Sequence, residues 1–416
     1  MDIVERFLKY TTINTTTNRE NGALGVMPSS PGQQVLAEHI KKELTDIGLE
    51  DIQLRSNAIL TATLPENTNK TSPTIAFFAH LDTSAEQSNN TQAHIVRYEN
   101  GDICLNEKED IVLRLKDNPD LNKYIGQDII VTDGTSLLGA DDKAAIASII
   151  NALKYLKDNP DIKHGAVKVA FLPDEEQGLR GAKAFDNSCF KADFGYTLDC
   201  CGIGEFVCEN WNAGNAVITF HGESAHPMSA KGKLKNSLLM AHKFIAMLPG
   251  GEAPEYTEKK EGYYWVKQLS GNSANTILQM DIRDFTEDGY KKRMHFLQQM
   301  TDACNTLWGK DTVDTVLSDR YQNVANYLQG NPYDPVALAL QAYKENGIEP
   351  SIVPMRGGYD GAVLSQKGIP CPNLFTGGHN FHSIYEYLPV NSLKAASQVV
   401  TDIIRLAYSN HLAERV

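Results

Sequence analysis

The chain has 416 residues, 42% of them apolar, with a formal charge of -13 and a pI near 5.3. That length implies two domains, and the acidic balance excludes non-specific binding to nucleic acid or to an anionic membrane, either of which needs a basic face. No run approaches the roughly eighteen apolar residues of a membrane span, the start Met1-Asp2-Ile3-Val4-Glu5-Arg6-Phe7-Leu8 lacks a signal peptide's apolar core, and seven cysteines without CxxC spacing argue against disulfides or a thiolate metal site, so a cytoplasmic location is expected.

Residues 32 to 48 carry apolar side chains at helical spacing and stop at Gly48. Residues 57 to 64 and 74 to 79 read as strands, the second running into His80-Leu81-Asp82-Thr83. A further strand is predicted at 128 to 132. The glycine-flanked stretch Gly134-Thr135-Ser136-Leu137-Leu138-Gly139-Ala140 follows it, and then Asp141-Asp142-Lys143 opens a helix predicted over Asp142 to Leu156. Strands at 167 to 172 and 194 to 199 end in Asp174-Glu175-Glu176-Gln177-Gly178 and in Asp199. Alternation of this kind gives an α/β fold with a mainly parallel sheet covered by helices.

Near residue 213 the pattern changes to strand 216–220, helix 234–247, strands 262–268 and 276–285, helix 287–308 and strand 312–317. That order, β-α-β-β-α-β, is the one found in ferredoxin-like α+β sandwiches. Helix-strand alternation then resumes and includes Gly377-Gly378-His379-Asn380-Phe381-His382. The expected organisation is a catalytic domain split into 1–212 and 325–416, with an inserted domain at 213–324 placed as a lid. The polar segments Asn67 to Ser72 and Ser84 to Thr91 are expected to be loops.

The polar motifs emerge where buried strands end, which is where open α/β sheets build their sites. Two histidines and several carboxylates without cysteine suit a divalent metal bound through nitrogen and oxygen, zinc first, with cobalt or manganese as substitutes. In His80-x-Asp82 the ring can face a metal while the carboxylate fixes its tautomer, although a histidine hydrogen-bonded at a strand end has the same pattern. Asp141-Asp142 can equally be charge at a helix N-terminus. Of Glu175-Glu176, one can ligate while its neighbour moves a proton; an acidic turn looks the same. Asp199 ends an apolar strand, where an unpaired charge is costly. Each motif alone is ordinary, but the five in this order point to a metallohydrolase.

With Pro254, Tyr256-Thr257-Glu258, Glu261-Gly262-Tyr263-Tyr264, Ile282-Arg283-Asp284-Phe285, Arg356-Gly357-Gly358 and Pro370-Cys371-Pro372-Asn373-Leu374-Phe375-Thr376-Gly377-Gly378 added, the chain resembles, end to end, the dinuclear-zinc peptidases. Within that family, which also contains carboxypeptidase G-type enzymes, it is similar to the peptidase T branch of tripeptide aminopeptidases. The resemblance implies two zinc ions per subunit bridged by Asp141. His80 and Asp199 would complete one site, and Glu176 and His382 the other, with His379 as the alternative to His382. It makes Glu175 the general base, has Asp82 orient His80, and assigns His226, Arg283 and Arg356 to the substrate. It also implies a cis peptide bond between Asp141 and Asp142.

Two positions depart from the branch's pattern. Cys200-Cys201 follow the metal-binding aspartate where small residues are usual, and Tyr359 stands where a threonine is usual; a Tyr359 facing the cleft would alter substrate preference. The expected activity is zinc-dependent release of the N-terminal residue from tripeptides. A dipeptidase, carboxypeptidase or amide hydrolase on the same scaffold, or a peptide-binding relative without turnover, stays open, as does a homodimer through the lid domain.

Overall fold

The computed structural model describes residues 1–86 and 90–413, without the side chains of 410–413. Positions 87–89 of the expected 84–91 loop, and residues 414–416 of the closing segment, lie outside the described residues. The chain divides into two compact units, one formed by Met1–Cys208, Tyr327–Val353 and Tyr359 onward, the other by Glu209–Asn326 and Pro354–Gly358.

The first unit is built on an eight-stranded mixed sheet, in the spatial order Glu50–Leu54, Leu60–Leu64, Val167–Leu172, Ile75–His80, Phe194–Cys200, Asn373–Phe375, Glu205–Val207 and Ser351–Ile352. Its four central strands, from Val167–Leu172 to Asn373–Phe375, are parallel, so their C-terminal ends open on the same side. Every residue of Ile75–His80 is buried, the unbroken apolar pattern of a strand covered on both faces. Phe77, Phe78 and Phe171 are fully buried, each contributing roughly 1.5–3 kcal/mol of burial.

Helix Pro31–Ile47 begins with proline in its first turn and ends at Gly48, whose φ of 86° suits a residue without a Cβ. Helix Ala140–Asp158 is buried along most of its length and packs against Val390–Ala413. The backbone at Asp141 and Asp142 is not helical, so the regular helix starts at Lys143.

The apolar run expected as a strand at 128–132 forms one, Gln127–Val131, but outside the main sheet. It pairs with His94–Tyr98 and Leu388–Pro389 in a separate three-stranded sheet. Its buried side chains Ile129 and Val131 serve a satellite core with Tyr98, Leu113 and Tyr387. An apolar run records burial, not which sheet receives it.

The second unit is a four-stranded antiparallel sheet in the order Tyr263–Gly271, Asn275–Asp284, Asn212–His221, Val313–Tyr321, with helices Ser237–Ala246 and Glu287–Trp308. Ile218, Phe220, Leu278, Met280 and Ile282 alternate along the central strands and join Phe244 of the first helix and Leu297 of the second in one core. The other sheet face carries polar side chains together with exposed Trp265, Val217 and Val316.

Candidate metal centre

The C-terminal ends of the parallel strands bring His80, Asp199 and the turn after Val167–Leu172 to one place. Asp141 arrives there from the turn before helix Ala140–Asp158. Gly139 shapes that approach with a φ of 79°, and a Cβ on it would come within 3.2 Å of the Thr83 methyl. The Asp141–Asp142 peptide bond is cis, as the resemblance implied.

Asp141 stands between the two histidines. His80 Nε2 lies 2.8 Å from Asp141 Oδ1, and His382 Nε2 lies 3.0 Å from Asp141 Oδ2. Donor atoms of His80, Asp141, Asp142 and Asp199 fall within 4.8 Å of one another, as do those of Asp141, Glu176 and His382. The two groups share Asp141. Of the expected ligands, His80, Asp141, Asp199, Glu176 and His382 are all gathered here, and Asp142, read from sequence as part of the motif but not as a ligand, is gathered with them.

Asp82 is fully buried, and its carboxylate accepts the backbone N–H groups of Glu175 at 2.9 Å and Glu176 at 3.2 Å. It also lies 3.4 Å from His80 Nδ1, whose nearer partner is the Asp82 carbonyl at 3.0 Å. The same turn is braced from behind by Asp174, at φ 56°, which accepts from Ser29 N–H, Gln33 Nε2 and Arg180 Nη1. His382 itself sits at φ 62°, a left-handed conformation uncommon for a residue with a Cβ and found preferentially at functional sites.

His382, not His379, reaches the cluster. His379 is stacked on Tyr387 and its Nε2 lies 2.7 Å from the Tyr124 hydroxyl; burial pulls it down to about 4. Neither cysteine of the Cys200-Cys201 pair belongs to either donor group. The Cys200 thiol is buried and donates to the Asn373 carbonyl at 3.5 Å. Tyr359 is also fully buried, its hydroxyl donating to the Cys371 carbonyl at 3.1 Å, so it packs inside the first unit and lines no cleft.

Glu386 carries no metal-type motif, yet its buried carboxylate accepts the N–H groups of Leu138 at 2.7 Å, Gly139 at 2.8 Å and Asp141 at 3.2 Å. It lies four residues beyond His382 and so ties the last ligand-bearing segment to the Asp141 turn. Asp360 is buried as well, and one of its carboxylate oxygens has no hydrogen-bond partner.

Electrostatics expose what the cluster lacks. Burial first, and the neighbouring charge second, push Glu175 up through Asp199, and Glu176 and Asp199 up through Asp141. Asp141 is also desolvated, but its hydrogen bonds with His382 and His80 outweigh burial and hold it low. Hydrogen bonds to Asp141 and Glu176 raise His382 to about 11. Glu176 Oε1 is buried with the shared His382 Nε2, 2.8 Å away, as its near neighbour, and Asp142 Oδ1 is buried without a hydrogen-bond partner. Crowded buried carboxylates with unused lone pairs, interleaved with two imidazoles, form a donor set that a divalent cation satisfies, and its charge relieves the repulsion among them. The residues fit a metal centre.

The other expected site residues belong to the second unit. His226 is exposed, its Nδ1 accepting the Met228 N–H at 3.2 Å. Arg283 is 7% exposed and donates to Asp281, Gly214 and Ile282; its ion pair is with Asp281, whereas the neighbouring Asp284 pairs with Arg293. Arg356 lies over the Trp211 ring at 5.0 Å and donates to the Lys259 carbonyl.

Comparison with known proteins places this arrangement. Residues 137–406 match peptidase family M20/M25/M40, and residues 60–207 also match peptidase family M28. A protein named Peptidase T from Clostridium novyi (strain NT) is 43% identical over 406 residues, covering 97% of this chain and 98% of its own. A Peptidase T from Parabacteroides distasonis is 44% identical over 408 residues, covering 98% and 99%. Among solved structures, aminopeptidase PepT from Bacillus cereus ATCC 10987 superposes with a TM-score of 0.76 at 24% identity over 97% of this chain and 98% of that one, a likeness of fold.

Proposed function

The chain belongs to the peptidase T branch of peptidase family M20/M25/M40, and we propose that it is a dinuclear zinc aminopeptidase that releases the N-terminal residue from tripeptides. The observation that carries the reading is the sharing of Asp141 between two donor groups, one oxygen turned to His80 and the other to His382. His80, Asp199 and Asp141 would hold one ion, and Asp141, Glu176 and His382 the other. When bound, such a pair lowers the pKa of a water and polarises the scissile carbonyl.

Glu175 is the proton carrier in this reading. It adjoins Glu176 in the turn that Asp82 fixes by both backbone N–H groups, and its raised pKa suits a group that takes a proton and gives it back. It accepts the proton of the attacking water as the C–O bond forms. It then delivers that proton to the amine nitrogen as the C–N bond breaks. Asp82 acts through its neighbours, fixing the turn and facing the far side of the His80 ring. His226, Arg283 and Arg356 are assigned to the peptide. The likeness to proteins named Peptidase T favours tripeptides over the substrates of dipeptidases, carboxypeptidases or amide hydrolases.

The test is digestion of unmodified trialanine by the zinc-loaded protein, with blocked-N-terminus and dipeptide controls and products identified by mass spectrometry. Alanine plus dialanine, formed only from the free tripeptide, supports the reading, and Glu175→Gln should abolish it with zinc content unchanged. Absence of cleavage with zinc bound refutes it.

A further inference from the structure

His382 reaches the metal centre from a short loop whose ends are tied together. The His379 N–H donates to the Tyr387 carbonyl at 2.9 Å and the Tyr387 N–H to the His379 carbonyl at 3.2 Å, an antiparallel bridge that closes residues 380–386 into that loop. Inside it, Asn380 at φ 56° and His382 at φ 62° are both left-handed, a conformation that persists at such residues only where the surroundings over-determine it.

The surroundings are supplied from one place. Asn380 Nδ2 donates to Asn118 Oδ1 at 2.7 Å and to the Tyr385 carbonyl at 3.0 Å. The His379 ring stacks on Tyr387, with centroids 4.6 Å apart and planes 7° from parallel, and its Nε2 lies 2.7 Å from the Tyr124 hydroxyl. Gly202 closes a further side of the ring, since a Cβ on it would come within 3.0 Å of His379 Cε1. Asn118 and Tyr124 flank the single 3-10 turn Pro119–Tyr124, so this turn holds the loop at two points, inside it through Asn380 and at its base through His379. Burial pushes Tyr124 up to about 12 and pulls His379 down to about 4; the bond between them therefore joins two uncharged side chains throughout the neutral range.

The rest of the metal centre is fixed by other means. His80 and Asp199 stand on central strands of the main sheet, Ile75–His80 and Phe194–Cys200. Glu386, which caps the Asp141 turn, adjoins Tyr387 and strand Leu388–Pro389, and that strand is pinned by its pairing with Ile129 and Ile130. His382 alone among the expected ligands depends on the end of the loop that His379 secures.

We propose that the hydrogen bond between His379 and Tyr124 positions His382, which makes His379 and Tyr124 positioning residues for one of the two metal ions and not for the other. The premise of two ions rests on the function proposed above.

The experiment is a zinc titration of the metal-stripped full chain against a competing chromogenic chelator, resolved into stepwise constants. The wild type is compared with Tyr124→Phe, His379→Phe, the double variant, His80→Ala and His382→Ala, the last two identifying which constant belongs to which site. Tyr124→Phe removes only a hydroxyl, and His379→Phe keeps a ring on Tyr387. Each should weaken the constant lost in His382→Ala by roughly three- to tenfold, the effect of one neutral hydrogen bond, and leave the constant lost in His80→Ala unchanged. The double variant should be no weaker than either single one, because both remove the same bond. No loss, an equal loss at both constants as from a loosened fold, or an additive double variant overturns the proposal. A wild type that takes only one ion overturns the two-ion reading instead; the positioning role is then supported if Tyr124→Phe weakens that ion as His382→Ala does, and overturned if it does not. A wild type that takes no zinc overturns both.

Discussion

The carboxylate of Asp82 accepts the N–H of Glu175 at 2.9 Å while standing 3.4 Å from His80 Nδ1, so one buried acid links the proposed proton carrier to a proposed metal ligand. Replacing it with asparagine keeps the volume but turns an acceptor pair into a mixed donor and acceptor against two N–H groups. Asp82→Asn should lower kcat/KM by roughly 10–100-fold, with the loss mainly in kcat and the zinc content, read by elemental analysis, largely retained.

Glu386 does for Asp141 what Asp82 does for Glu175. With three backbone donors on one carboxylate, Glu386→Ala leaves the Asp141 turn without its acceptor. The expected outcome is metal affinity weakened by roughly 10–100-fold, measured by competition with a chromogenic chelator, with Glu386→Gln intermediate because it keeps one oxygen. Unaltered affinity alongside a lowered melting temperature would reduce Glu386 to a structural residue.

Without metal, the buried acids should make the protein less stable as pH rises. Burial lifts Asp360 from 3.8 to about 7 and Glu386 from 4.5 to about 8, so between those values the folded state keeps protons that the unfolded state has released, and stability falls across that interval. Glu175, Glu176 and Asp199 shift in the same direction. His382, raised from 6.5 to about 11, stabilises fully below 6.5 and loses its contribution towards about 11. His379, lowered from 6.5 to about 4, opposes the trend between those values, and Lys143, pulled from 10.5 to about 7 by burial, opposes it above about 7. Thermal melts of chelator-treated protein should therefore show a decline from about pH 4.5 to 6.5, where the acids outnumber the opposing histidines, His379 and the His164 that burial also lowers. Metal-loaded protein should move the other way, since ligation requires deprotonated imidazole and carboxylate.

Tyr359 gives a prediction of no effect. Its hydroxyl satisfies the Cys371 carbonyl inside the first unit, so Tyr359→Phe should cost about 1 kcal/mol of stability, read from denaturant unfolding, and leave the ranking of peptide substrates unchanged. A changed ranking would contradict the buried position.

Much of this site was readable from the sequence because its ligands follow apolar strands. His80 after Ile75–Ala79 and Asp199 after Phe194–Leu198 are polar residues at the ends of buried runs, and the 3.6-residue and two-residue periods of the inserted unit give its element order. What escaped is held by interactions that leave no pattern. Glu386 bonds only to backbone N–H groups, which any residues at 138, 139 and 141 could supply. Strand His94–Tyr98 buries only Tyr98 and leaves Ile95 exposed, so no alternation of apolar and polar residues marks it. Whether Tyr359 faces a cleft was not legible from its motif, because its burial is set by Gly361 and Cys371 packing around it.

The central claim is that Asp141 belongs to two metal sites at once, and metal stoichiometry tests it most directly. Native mass spectrometry of the wild type titrated with zinc should show two ions per chain. His80→Ala and His382→Ala should each weaken one ion selectively, and Asp141→Ala should weaken both. A wild type that saturates at one ion, or an Asp141→Ala protein that still binds two with unaltered affinity, would contradict it.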